Sequence, residues 1–168
     1  MAMNDTYVEV LVPKKKNPLV GIGRILMYVL AVVCLFLMFA KGVFFVGVIA
    51  FAGLAYFIFP RLDIEYEYLY LDRELSIDKI MSKEKRAKVM DIDLEKMEIM
   101  ARSTSHELDH HRSRGLKELD YTSGEEGAEV YTIVYESGRE GTVLVNIEPG
   151  EEMLRAIKNV YPRKVLDY

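Results

Sequence analysis

Apolar and polar positions follow three regimes along the chain. Residues 6–13 (TYVEVLVP) alternate, with Val8, Val10 and Val12 on one side, which predicts a short strand. An isolated strand is unstable in water, so it is expected to dock on a sheet edge formed later in the chain. Two uncharged apolar runs follow, Ile25–Ala40 and Gly42–Phe59, 16 and 18 residues long and separated only by Lys41. From Leu62 the period returns to two and stays there until a closing helical pattern.

The apolar runs predict a pair of membrane-spanning helices. A bilayer core of about 30 Å needs roughly 20 helical residues. The first run reaches that length with Leu19–Gly23, leaving Arg24 to snorkel toward the interface. The second stops at Pro60 and Arg61, and its aromatics, Phe44, Phe45, Tyr56, Phe57 and Phe59, gather toward its ends. A lysine cluster before an apolar run also opens a signal peptide, but here a second run follows at once and no small-residue cleavage site intervenes. The turn at Lys41-Gly42 is very short, so both flanks emerge on one side. That side carries Lys14, Lys15, Lys16, Arg24 and Arg61 against Lys41 alone, which predicts a multi-pass cell-membrane protein with both termini cytoplasmic. Glycines 42, 47 and 53 would allow close helix approach.

Beyond the runs, Ile64–Tyr70 and Leu75–Lys79 read as strands around an Asp72-Arg73-Glu74 turn. The polar stretch Ser82–Lys88 reads as a loop. Further strands fall at Met90–Leu94, Met97–Ser103, Leu116–Thr122, Glu129–Glu136 and Thr142–Glu148, while residues 104–115 lack apolar periodicity. Gly124 with Gly127, and Ser137-Gly138, supply turns. Pro149, Glu151, Glu152 and Lys158 suit the two ends of a helix whose stripe is Met153, Leu154, Ile157, Val160 and Tyr161, stopped by Pro162. The expected architecture is a transmembrane helical hairpin followed by an α+β domain, with seven antiparallel strands in a curled sheet capped by a C-terminal helix. Its divisions are 1–18 as a cytoplasmic N-terminal segment, 19–60 as the hairpin and 61–168 as a cytoplasmic domain.

Charge sharpens this division. Residues 1–60 carry five basic and two acidic groups, and residues 61–168 carry 17 and 24, so net charges of +3 and −7 make up the −4 of the whole chain. An acidic domain argues against nucleic acid as a partner. Cys34 is the one cysteine, which excludes an intrachain disulfide, and it reads as a small apolar residue in lipid or at the helix contact.

Candidate chemistry is sparse. His106-Glu107-Leu108-Asp109-His110 spells H-E-x-x-H, which on a helix would pair two zinc ligands with a general base. The polar flanks ARSTS and HRSRG offer no buried stripe to hold such ligands, and no third ligand stands in clear context, although Glu118, Glu125 and Glu126 are near in sequence. The segment therefore reads as a solvated loop, with no metal and no cofactor. Lys83, Lys85, Arg86 and Lys88, with Lys79, form a basic run that could touch anionic headgroups. Tyr66, Tyr68, Tyr70, Tyr131 and Tyr135 stand at period-two spacing and read as sheet core. Gly21-x-Gly23 lacks a preceding strand and a third glycine, so no dinucleotide site is read.

Seven strands closed by a helix resemble the pleckstrin-homology-like fold. The stretches FPRLDIEYEYLYLDRELSIDKIMSK, DLEKMEIM and EEMLRAIKNVYPRKV are similar to an uncharacterised family of small two-span membrane proteins of Gram-positive bacteria. The fold-level resemblance would imply phosphoinositide binding at a basic first hairpin loop. That loop reads here as Asp72-Arg73-Glu74, which is net acidic, so the lipid site does not carry over. The expectation is a non-enzymatic, membrane-anchored interaction module that contacts membrane lipids through its anchor. Its sheet edges and 104–115 loop would bind a membrane or cytoplasmic protein. The alternatives are a lipid-binding surface at Lys83–Lys88 and a zinc hydrolase centred on Glu107.

Overall fold

The computed structural model describes residues 7–16, 18–58, 62–81, 85–138 and 141–166. Two compact bodies are present. One comprises residues Met1–Lys14, Glu65–Ile80 and Arg86–Tyr168, and the other Lys15–Ile64 with Met81–Lys85. Phe59, Pro60, Arg61 and Lys83, all singled out in the sequence, lie outside the described residues.

The sheet body begins upstream of the apolar runs. β1 (Val8–Pro13), β2 (Ile64–Leu71), β3 (Glu74–Met81) and β4 (Lys85–Asp93) form a four-stranded sheet in that order. β1 runs antiparallel to β2, with Val8 opposite Tyr70 and Pro13 opposite Glu65, so the N-terminal strand docks as its alternation requires. Val8 and Val12 go inward beside Tyr66, Tyr68 and Tyr70, all buried. β2 and β3 are joined by Asp72 and Arg73 at φ 48° and 69°. A two-residue link with both centres at positive φ matches the right-handed twist of the strands it joins.

The second sheet is built from β5 (Met97–Arg102), β6 (Lys117–Asp120), β7 (Tyr131–Ser137), β8 (Gly141–Ile147) and β9 (Val165–Leu166), in spatial order β6-β8-β7-β5-β9. β7 is antiparallel to β5 and β8, whereas β6 is parallel to β8 and β9 is parallel to β5. The expected single sheet of seven antiparallel strands is thus corrected to nine strands in two sheets among the described residues. The seven strands exist, but β1 joins them from across the apolar insertion, and β9 is too short to carry a period. Alternation is also blind to the direction of a neighbour.

The closing helix, α4 (Gly150–Val160), packs against β1 and buries Met153 and Ile157, although Val160 of the expected stripe is exposed. The main core gathers Tyr68, Leu75, Ile77, Ile92, Met97, Met100, Ile133 and Ile147. A satellite core of Ala101, Leu108, Val134 and Leu144 takes in Ile99, Leu116 and Leu166.

The helical body contains α1 (Pro18–Met38) and α2 (Phe44–Phe57), joined by a tight turn in which the Lys41 N–H donates to Leu37 O and the Phe44 N–H to Lys41 O. Among the described residues α1 alone, at 21 residues, is long and apolar enough to cross a membrane. The expected second span is the shorter α2, whose 14 residues reach about 21 Å. The helices pack on each other, and a Cβ added at Gly47 would stand 3.0 Å from Cys34 Sγ. Cys34 therefore lies at the helix contact. Gly42 and Gly53 face open space and take no part in it.

Candidate functional site

The H-E-x-x-H segment is ordered. Ser105 Oγ accepts from the Glu107 N–H, starting a 3₁₀ turn over His106–Leu108 that leads into α3 (Asp109–Ser113). The Arg112 guanidinium donates to Ser103 O at 2.6 Å and closes the segment on itself. The expected solvated loop is thus corrected to a capped helical turn, and the reason is Leu108. This residue is fully buried in the satellite core, between a histidine and a glutamate on one side and an aspartate and a histidine on the other. A single apolar anchor leaves no periodicity in the sequence. His106 is fully exposed and its Nδ1 lies 3.1 Å from Asp109 Oδ2, while Glu107 and His110 are exposed. His111, mostly buried, has Nδ1 3.7 Å from Glu98 Oε2 and no hydrogen bond. Glu118 accepts from Asn146 Nδ2 at 2.7 Å. Among the described residues no group of three or more His, Cys, Asp or Glu is arranged to hold a metal ion.

The basic run is strand rather than loop. Lys85, Arg86 and Lys88 belong to β4, the edge of the first sheet, and residues 85–89 are all exposed. Of these three β4 cations, two are already engaged. Arg86 Nη2 donates to Glu67 Oε1 at 2.8 Å, and Lys88 Nζ lies 2.7 Å from Asp91 Oδ1. Lys85 makes no ion pair among the described residues.

The tyrosines are core, as their spacing predicts, but Tyr68 also organises a polar junction between the sheets. Its hydroxyl donates to Tyr121 O at 2.6 Å and accepts from the Glu148 N–H at 3.4 Å. Glu148 Oε1 accepts from both the N–H and the hydroxyl of Ser123, each at 2.8 Å. Burial pushes the Tyr68 hydroxyl far above its ordinary pKa, so it serves as a fixed donor. Tyr121, Ser123 and Glu148 escaped sequence reading because they come from separate loops.

A second polar group crosses the outer side of the first sheet. Glu67 is 4 % exposed, with Arg86 on one oxygen and Glu9 of β1 alongside. The Tyr7 hydroxyl donates to Glu9 Oε2 at 2.7 Å. Burial raises the Glu67 pKa, Glu9 and Asp78 add to the rise, and Arg86 opposes it.

These positions also revise the first hairpin. In the four-stranded sheet it is the β1–β2 connection, residues 14–63, and the Asp72-Arg73 turn is the second. The apolar helices therefore occupy the loop between the first two strands. Four strands in sequential order, a second sheet built around β5, β7 and β8, and a closing helix packed on β1 make a PH-like arrangement. No curated protein and no solved structure matches the chain. A family described as "Bacterial PH-like domain (DUF6106)" matches residues 4–167, helices and strands together, and the chain belongs to that family.

Proposed function

We propose that the protein is a non-enzymatic, membrane-anchored interaction module. In this reading it is held by a two-span helical hairpin with both termini cytoplasmic, and it presents its PH-like domain to a protein partner. The pairing of Pro13 with Glu65 carries this reading. Partners in an antiparallel ladder lie about 5 Å apart, so the chain leaves the sheet at Pro13 and returns to the same place. If α1, about 31 Å long, crosses a bilayer on that excursion, the chain must cross again to come back. α2, with the uncharged residues around it, is the segment available. The lysines before α1 outweigh Lys41 at the turn, which supports a cytoplasmic position for both termini.

The non-enzymatic reading is supported by the H-E-x-x-H segment, whose histidines and glutamate face solvent around a buried leucine. For a partner, β4 offers the longest open strand edge among the described residues. β6 has four residues, β9 has two, and β1 carries α4. Extended segments add to such edges through main-chain hydrogen bonds. The test is in-cell crosslinking of the tagged full chain followed by mild-detergent purification and mass spectrometry, beside an Ala87→Asp, Val89→Asp chain altered on the exposed edge. A protein recovered in near-stoichiometric amount with the wild type and lost with the edge variant supports the reading. Recovery unaffected by the variant removes β4 as the docking edge, and recovery of nothing removes the partner.

A further inference from the structure

We propose that a second copy of this chain occupies the open edge of β4, the two strands running antiparallel about a two-fold axis at Val89. The inference rests on the β4-edge reading above and gives that edge its partner. β4 has the sequence KRAKVMDID. Its three cations, Lys85, Arg86 and Lys88, all precede Val89, and its two carboxylates, Asp91 and Asp93, both follow Met90. Residues 85–89 are exposed, Val89 by 40 %. A strand that complements this edge needs carboxylates where it meets 85–88 and cations where it meets 91–93. An antiparallel β4 is such a strand, whereas a parallel β4 in register sets its basic half against another basic half. Charges on an edge strand ordinarily keep sheets apart. Here they exclude the parallel arrangement and leave the antiparallel one open.

The same charges choose the register. A two-fold axis perpendicular to the sheet gives each residue a partner on its own face. Side chains alternate between faces, so the axis falls on a residue and not between two. Centred on Val89, the midpoint of the nine residues, the copies set Lys85 against Asp93 at both ends, Ala87 against Asp91, and Val89 against itself. Centred on Lys88 or on Asp91, they set two like charges opposite each other at the axis, which is unfavourable. Centred on Met90, no cation of the strand meets a carboxylate of its copy. The pairs within the chain leave this register free. Arg86 keeps Glu67 of its own sheet, and the Lys88–Asp91 pair lies within the strand. Lys85 makes no ion pair among the described residues. Asp93 accepts from the Glu95 N–H at 3.0 Å and lies 3.4 Å from Lys96 Nζ, which leaves its carboxylate further accepting positions. Two copies held in one membrane meet at high effective concentration, so an edge of this length suffices without a large apolar patch.

The test uses the full chain, co-expressed as two differently tagged copies and extracted into an excess of mild-detergent micelles. Capture of one tag is expected to bring down the other. Lys85→Asp and Asp93→Lys each place like charges at both ends of the pairing, so either variant paired with itself should lower capture several-fold. Mixing the two variants restores opposite charges at both ends and should return capture to the wild-type level, which also shows that both variants fold. In a Cys34→Ser chain, Val89→Cys should form a disulfide between copies under mild oxidation, whereas Glu126→Cys, exposed on the sheet body, should not. Wild-type copies that do not capture each other overturn the inference. So do capture that the variants leave unchanged, a mixed pair as weak as the matched ones, and equal cross-linking at positions 89 and 126. If the copies ignore each other while a different protein is recovered and is lost with the Ala87→Asp, Val89→Asp chain, the edge reading stands and this inference alone falls. If neither a copy nor another protein is recovered, both fall.

Discussion

Replacing Leu108 with alanine separates the two meanings of the H-E-L-D-H segment. Leu108 is fully buried against Ala101, Val134 and Leu144, so the substitution removes three carbons from a closed apolar cluster. Buried Leu→Ala changes cost about 2–5 kcal/mol, depending on how far the surroundings collapse. The segment is a short turn held by the Arg112 bond to Ser103 O, and it can settle partly into the gap. We therefore expect about 2–3 kcal/mol, or a drop of roughly 10 °C in the melting of a domain this size. His106→Ala, Glu107→Ala and His110→Ala remove exposed side chains and should each stay within about 0.5 kcal/mol. The assay is near-ultraviolet circular dichroism of the purified full chain in micelles, heated with and without added zinc. The reasoning fails if Leu108→Ala melts like the wild type. It also fails if the histidine variants cost more than the leucine variant, or if zinc raises the wild-type midpoint and leaves the histidine variants unmoved.

Three further outcomes follow from the geometry. Tyr68→Phe leaves the Tyr121 carbonyl and the Glu148 N–H without their partner, and should cost about 1–3 kcal/mol in the same melting assay. An unchanged midpoint would show the junction to be dispensable. Glu67 has its pKa raised by burial, so its contribution is fully present below the ordinary carboxyl value and is lost as pH rises through the higher folded value. The wild-type midpoint should therefore fall across that window, and Glu67→Gln should flatten the fall; parallel curves would contradict the assignment. Gly47→Cys should form a disulfide with Cys34 under mild oxidation, because a Cβ at position 47 would lie 3.6 Å from Cys34 Cβ, within the roughly 3.5–4.5 Å span of disulfides. Gly53→Cys, which faces open space, should not form one, and a non-reducing gel distinguishes the two.

Local pattern made most of the elements legible before the structure. Val8, Val10 and Val12 announced a strand, the tyrosines of β2 announced a buried face, and Pro149 and Pro162 bracketed α4. The failures were of pairing and of single anchors. Nothing near Val8 says that its partner is Tyr70, some sixty residues away across two apolar helices, so local period alone puts the first hairpin one connection too late. Leu108 stands alone among charged residues and gives no period, hence the ordered turn read as a loop. Lys85, Arg86 and Lys88 look alike in sequence. They differ only because Glu67 and Asp91 meet two of them, and because the third belongs with the helices.

The central claim is that the β1–β2 pairing forces the intervening helices to leave and return on one face of a membrane. Cysteine accessibility in inside-out and right-side-out vesicles addresses it most directly. Single cysteines are placed in a Cys34→Ser chain at Lys15, at Lys41 and at Glu126, an exposed position on the sheet body. The account expects the positions at Lys15 and Glu126 to react with an impermeant maleimide from the cytoplasmic face, and the position at Lys41 only from the opposite face. Labelling of Lys15 and Glu126 from opposite faces, or of all three from one, would contradict it.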